Sequence, residues 1–141
     1  IMPKYGQDSF SKLSTCHLDL QAIFFEVIKN YDCKVLEGHR NEHDQNVAFE
    51  KGTTKLKWPD GKHNTLPSMA VDVAPFPINW ASNPTNMARY YLFAGYVFGV
   101  AEQLKSQGKI THSLRWGGDW DGDRDLSDQK FNDLVHFELI T

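Results

Sequence analysis

One aspartate constrains this chain more than any other residue. Asp72 stands in the apolar run 69–74, between Val71 and Val73, and Pro75 and Pro77 close the run. Prolines cannot donate to a sheet ladder, so the run reads as a strand with a hard stop. Alternation along a strand puts Asp72 on the face opposite both valines. A lone carboxylate in so apolar a run is costly unless something pairs with it. A metal ion shared with His63, in the loop that precedes the strand, would do so. His136, near the far end of the chain, offers a third ligand.

Around this segment the remaining elements read as a small α+β domain. Residues 1–13 form an irregular arm. Leu20, Ile23, Phe24, Val27 and Ile28 fall at helical spacing, which predicts a first helix over about 15–30, capped by Ser14 or Thr15. Residues 33–37 form a short strand broken by Gly38. Asn41 caps a second helix to about Lys51, with Gly52 at its end. Trp58-Pro59 pins the next loop against something apolar. Asn83 or Thr85, with Pro84 in the first turn, opens a long third helix that Gly108 ends. Its face runs Met87, Tyr90, Tyr91, Ala94, Val97, Phe98, Ala101 and Leu104. Strands over 110–116 and 134–140 flank a polar, acidic loop. Four strands without regular βαβ alternation predict a small antiparallel sheet packed against about three helices, with a zinc site at the sheet. With no repeat or linker, residues 1–141 read as a single domain.

His63, Asp72 and His136 make the ligand set of a catalytic zinc, two imidazoles and a carboxylate that leave one position open. Asp133, three residues before His136, is a candidate general base for a water bound there. Glu138 shares strand parity with His136 and is either a rival base or a supporting partner for a ligand histidine. Arg40, after the first strand, offers a guanidinium for a carboxylate or a developing oxyanion; otherwise it pairs with Glu42 or Asp44 at the surface. Gln45 either supports it or is exposed. His39-Arg-Asn-Glu-His43 matches an inverted zincin pattern, but Gly38 and the Asn41 cap put His39 outside the helix that pattern needs. Asp119, Asp121, Asp123 and Asp125 begin like a calcium loop, yet Arg124 and Lys130 stand where an EF-hand needs glycine and glutamate.

Some classes are excluded. A net charge of -3 gives no footprint for nucleic acid or an anionic membrane. No apolar run approaches the ~18 residues of a membrane span. Residues 1–10 lack the apolar core of a signal peptide. Ile1 reads as a remnant before a natural start at Met2. Cys16 and Cys33 read as two reduced, buried thiols rather than a disulfide framework.

Taken with their order, the motifs resemble the VanY-like D-alanyl-D-alanine carboxypeptidase superfamily of zinc peptidases. They are most similar to its bacteriophage endolysins, the L-alanyl-D-glutamate endopeptidases. The resemblance runs through Glu37-Gly-His-Arg40 with Gln45, the segment from Lys62-His63 to Asp72 and Pro75, Leu114-Arg-Trp-Gly-Gly-Asp119-Trp120, and Asp133-Leu-Val-His136-Phe-Glu138. It implies Zn2+ on His63, Asp72 and His136, Asp133 as general base and Arg40 as substrate contact. It implies cleavage of the L-Ala-D-Glu bond in the stem peptide of bacterial peptidoglycan. It further implies a monomer without a wall-binding domain, made in the host cytoplasm and acting on the wall after release. His63 and Asp72 are nine residues apart where the commonest family form has seven, a longer loop variant. The aspartate at 133, where carboxypeptidase branches usually have glutamate, favours the endolysin branch. The competing readings are a zinc D,D-carboxypeptidase that removes terminal D-Ala and a non-catalytic wall-binding module on the same fold.

Overall fold

A computed structural model describes residues 3–129 and 132–141. Ile1, Met2, Lys130 and Phe131 lie outside the described residues, and with them the expected start at Met2 and the Lys130 position of the acidic loop.

The elements run α1 (Gln7–Leu13), α2 (Leu18–Val27), β1 (Cys33–Glu37), α3 (Glu42–Glu50), β2 (Ala70–Pro75), α4 (Pro84–Ser106), β3 (Ser113–Gly117) and β4 (Asp133–Ile140), with short 3-10 turns at Lys62–Asn64 and Leu126–Asp128. The four strands form one antiparallel sheet in the order β1-β2-β4-β3. The α+β class and antiparallel sheet agree with the sequence reading.

The N-terminal region departs from it. Gln7–Leu13 is helical rather than an irregular arm. Its seven residues are too few to hold a helix on propensity alone. Packing holds it, with Leu13 in the core and the buried Ser9 hydroxyl accepting from Val35 N–H at 3.1 Å. The first long helix starts at Leu18, and His17, not Ser14 or Thr15, caps it by accepting from Asp19 N–H. Thr15 is taken elsewhere, because its hydroxyl accepts from His39 N–H. Asn41 and Asn83 cap α3 and α4 through their side chains as expected.

The core lies on one face of the sheet. Val71, Val73 and Phe137 point into it and are fully buried. Phe24 of α2 and Phe93 of α4 pack edge-on against Phe137, with ring centroids 5.4 and 6.1 Å away. Burial of each such side chain is worth about 1.5–3 kcal/mol. Alternation then sends Asp72, His136 and Glu138 to the opposite face, away from α2 and α4.

Candidate metal centre

Asp72 and His136 sit on the two central strands as register partners, and Glu37 of β1 pairs with Asp72 from the other side. This row of three polar residues crosses the sheet. Asp72 Oδ1 lies 3.2 Å from His136 Nδ1. His63, in the 3-10 turn Lys62–Asn64, closes the third side. Its Nε2 lies 3.2 Å from Asp72 Oδ1 and 3.3 Å from His136 Nδ1. Ligands on a tetrahedral ion with bonds of about 2.0 Å stand roughly 3.3 Å apart. The three donors therefore fit a small tetrahedral cation without rearrangement.

The rest of each ring is anchored. His63 Nδ1 lies 2.7 Å from the Gly38 carbonyl, which can only accept, so Nδ1 carries the proton and Nε2 is free to ligate. His136 Nε2 lies 2.8 Å from Glu138 Oε1. Glu138 also accepts from Arg115 Nη2 at 2.6 Å, its cross-strand neighbour on β3, and Lys62 Nζ is 3.4 Å away. Glu138 thus stands behind His136, on the side away from the ligand atoms. Of its two possible roles, the geometry is that of the supporting partner.

The charges are tightly linked. Burial alone would raise the Asp72 carboxyl, but the two imidazoles beside it hold it well below the usual carboxylate range. Burial opposes protonation of His136, yet its hydrogen bonds to Asp72 and Glu138 push it up to about 9. Burial would also raise Glu138, but His136 and Arg115 bring it down to about 2.

Regular alternation would put Asp133 and His136 on opposite faces of β4. The ladder breaks there: Trp116 pairs with Phe137, whereas Gly117 pairs with Asp133. The break lets Asp133 line the same cleft as His63, His136 and Arg40. Gly117 is required, because a Cβ there would overlap the Asp133 carbonyl. Burial and the nearby Asp72 charge raise Asp133 to about 6, against the pull of His136, His63 and Arg40.

Arg40 is not at the surface with Glu42 or Asp44. Its Nε and Nη2 donate to the two oxygens of Glu37 at 3.0 and 2.8 Å, and Nη1 donates to Gln45 Oε1 at 3.0 Å. Nη2 also lies 3.9 Å from Asp72 Oδ2. Gln45 is buried, and its amide donates to the Leu56 carbonyl while its Oε1 also accepts from Asn64. One carboxylate, Asp72, therefore faces the imidazoles with one oxygen and the guanidinium with the other. Glu37 and Trp120 stand in motifs that the sequence singles out, but the sequence assigns neither a role. The Trp120 ring lies 5.3 Å from that of His136 and forms one wall of the cleft. Glu37 stands three residues before Arg40, a spacing that could have flagged the pair.

Other titratable clusters stand apart. Asp19 Oδ2 accepts from the Thr111 and His112 N–H groups and lies 2.7 Å from His112 Nδ1, a clasp between α2 and the chain entering β3. Asp119, Asp121 and Asp123 bring carboxylate oxygens within 4.8 Å of one another, while accepting backbone N–H groups within their own loop. His39 lies before α3, with Nδ1 3.0 Å from the Thr65 carbonyl, and His43 is exposed, so the H-x-x-E-H match forms no site. Cys16 and Cys33 are free and buried.

A family model described as phage L-alanyl-D-glutamate peptidase matches residues 1–140. No individual curated protein gives a significant match. Among solved structures, the chain is similar to the L-Ala D-Glu endopeptidase ChiX of Serratia marcescens. The TM-score is 0.71 at 22% identity, over 99% of this chain and 91% of that one. At that identity the likeness speaks for the fold.

Proposed function

The chain belongs to the phage L-alanyl-D-glutamate peptidase family, and from that premise we propose that it hydrolyses the L-Ala-D-Glu bond of peptidoglycan stem peptides with one zinc ion held by His63, Asp72 and His136. The observation that carries this reading is the triangle of ligand atoms, 3.2 to 3.3 Å on each side, in the cleft that also holds Asp133. Two imidazoles and a carboxylate at tetrahedral spacing suit zinc over the harder cations that prefer six or more oxygens. When bound, zinc would supply a Lewis acid for the scissile carbonyl and a water acidified towards a pKa of about 7.

The chain's own residues do the rest. Asp133 takes the proton of the attacking water and delivers it to the leaving amine. Its raised affinity for a proton, from burial and the Asp72 charge, suits a group that must hold and then release one. Arg40 is locked by Glu37 and Gln45, so its guanidinium presents a fixed positive field to a substrate carbonyl or carboxylate. Glu138 and the Gly38 carbonyl engage the far nitrogen of each imidazole, which leaves Nδ1 of His136 and Nε2 of His63 as the atoms that would hold zinc.

The proposed setting is lysis of the host cell from inside, with the wall as substrate. No helix among the described residues is long and apolar enough to cross a membrane. The test is digestion of purified peptidoglycan with product analysis by mass spectrometry. The expected products are stem peptides released at L-alanine, with activity abolished by a chelator and restored by zinc. Loss of terminal D-alanine alone would replace the endopeptidase reading with a D,D-carboxypeptidase. Wall binding without soluble product would replace it with a non-catalytic module.

A further inference from the structure

Beside the metal centre lies a second hollow, of about 210 Å3, and Asp133 lines both. Its other wall is the loop between β2 and α4, where Trp80 is 65% exposed. What sets it apart from the chain's other exposed apolar side chains is that α4 fixes the loop that carries it. Asn86 donates its amide to the Asn79 and Ala81 carbonyls at 2.8 and 2.7 Å. Tyr90 donates its hydroxyl to the same Asn79 carbonyl at 2.6 Å, and Arg89 donates to the Pro77 carbonyl at 2.6 Å. Three side chains from the first turns of α4 thus tie down this loop. The Trp80 ring stacks on Tyr90, with planes 23° apart, so one indole face is backed and the other is open.

The chemistry of the hollow selects its occupant. Among the described residues, Asp133 is the one charged group that lines it; the others are amides, aromatics and apolar side chains. An anionic ligand would meet the Asp133 carboxylate, which disfavours the carboxylate-rich part of a stem peptide beyond D-glutamate. A neutral ring with an apolar face and amide and hydroxyl groups at its rim matches an aromatic platform bordered by Asn79. The volume suits one ring, being below the ~300–1,000 Å3 of pockets that enclose drug-sized ligands. In peptidoglycan such a ring is close to the scissile bond, because the stem's L-alanine is joined directly to a lactyl-bearing N-acetylhexosamine.

We infer that Trp80 is a platform for the N-acetylhexosamine that carries the stem peptide, so that the protein reads the glycan as well as the peptide. The inference rests on the proposed substrate and extends it to the sugar. The experiment compares two substrates with one peptide sequence, a disaccharide-tetrapeptide and the same tetrapeptide freed of sugar. The wild-type protein is expected to show the higher kcat/KM on the sugar-bearing substrate. Trp80→Ala is expected to lose about tenfold on it, mainly through KM, and to stay within about twofold on the free peptide. Trp80→Phe, which keeps an aromatic face, should recover most of the loss. Unchanged zinc content and Tm would show that the variants are intact. Equal losses on both substrates, no loss on either, or a wild-type protein indifferent to the sugar would overturn the inference alone. A wild-type protein that cuts neither substrate would overturn the peptidase reading, and the platform with it.

Discussion

Asp72 Oδ1 and His136 Nδ1 face each other at 3.2 Å across the two central strands, as direct register partners. The sheet itself holds these two donors in place, and of the three only His63 comes from a turn. Asp72→Asn keeps the shape but removes the charge that both imidazoles face. It is expected to weaken zinc binding by more than the ~10–100-fold typical of losing a supporting partner. Metal content after dialysis against a competing chelator measures this, and a full equivalent retained by the variant would remove Asp72 from the ligand set.

Asp133→Asn separates metal binding from proton transfer. The variant should hold one equivalent of zinc and lose roughly 10²–10⁴-fold in kcat. Wild-type turnover by a correctly loaded variant would take the base role away from Asp133.

Glu138 is expected to act only through His136. Glu138→Gln keeps an acceptor at the ring nitrogen but loses the charge that Arg115 also grips. Zinc affinity should fall by about 10–100-fold, and saturating zinc should restore most of the rate. A rate that stays low at full zinc occupancy would instead assign Glu138 a direct part in the chemistry.

Arg40→Lys tests whether a fork is needed or merely a charge. A lysine cannot meet both oxygens of Glu37 and Gln45 at once. The expected result is a loss of about 10²-fold or more in kcat/KM with zinc content unchanged. Activity within threefold of wild type would make the guanidinium geometry irrelevant.

The pH dependence follows from the ligand set without its ion. His136 is pushed up to about 9 in the metal-free fold, against roughly 6.5 for an unfolded histidine. Its protonation therefore stabilises the metal-free protein fully below about 6.5, and that contribution is lost as pH rises through 9. Zinc requires the neutral ring, so uptake at pH 7 should release about one proton, and affinity should climb with pH up to about 9. Calorimetry in buffers of different ionisation enthalpy reads the proton directly. Uptake with no buffer dependence would contradict the assignment.

Parts of this arrangement were legible in the sequence for identifiable reasons. The Asn41 and Asn83 caps, the strand at 33–37 and the long helix ending at Gly108 rest on local chemistry that tertiary structure did not overrule. Asp72 stood out because one charge in an apolar strand has few explanations. What could not be read depended on contacts between distant segments. Helix α1 is held by β1 rather than by its own propensity. The turn of Asp133 into the cleft needs a ladder break opposite Gly117. The choice of Nδ1 on His136 and Nε2 on His63 is made by Glu138 and by the Gly38 carbonyl.

That carbonyl has a wider reach. Gly38 lies against the Lys12 carbonyl and the Thr15 hydroxyl at the end of α1, with no room for a Cβ. The peptide that orients His63 is therefore seated against the end of the N-terminal helix. Shortening or fusing the chain at this end should show first as weaker zinc retention in a protein that is still folded. For anyone building chimeric lysins, the helix at Gln7–Leu13 is part of the candidate metal site's foundation rather than a free attachment point.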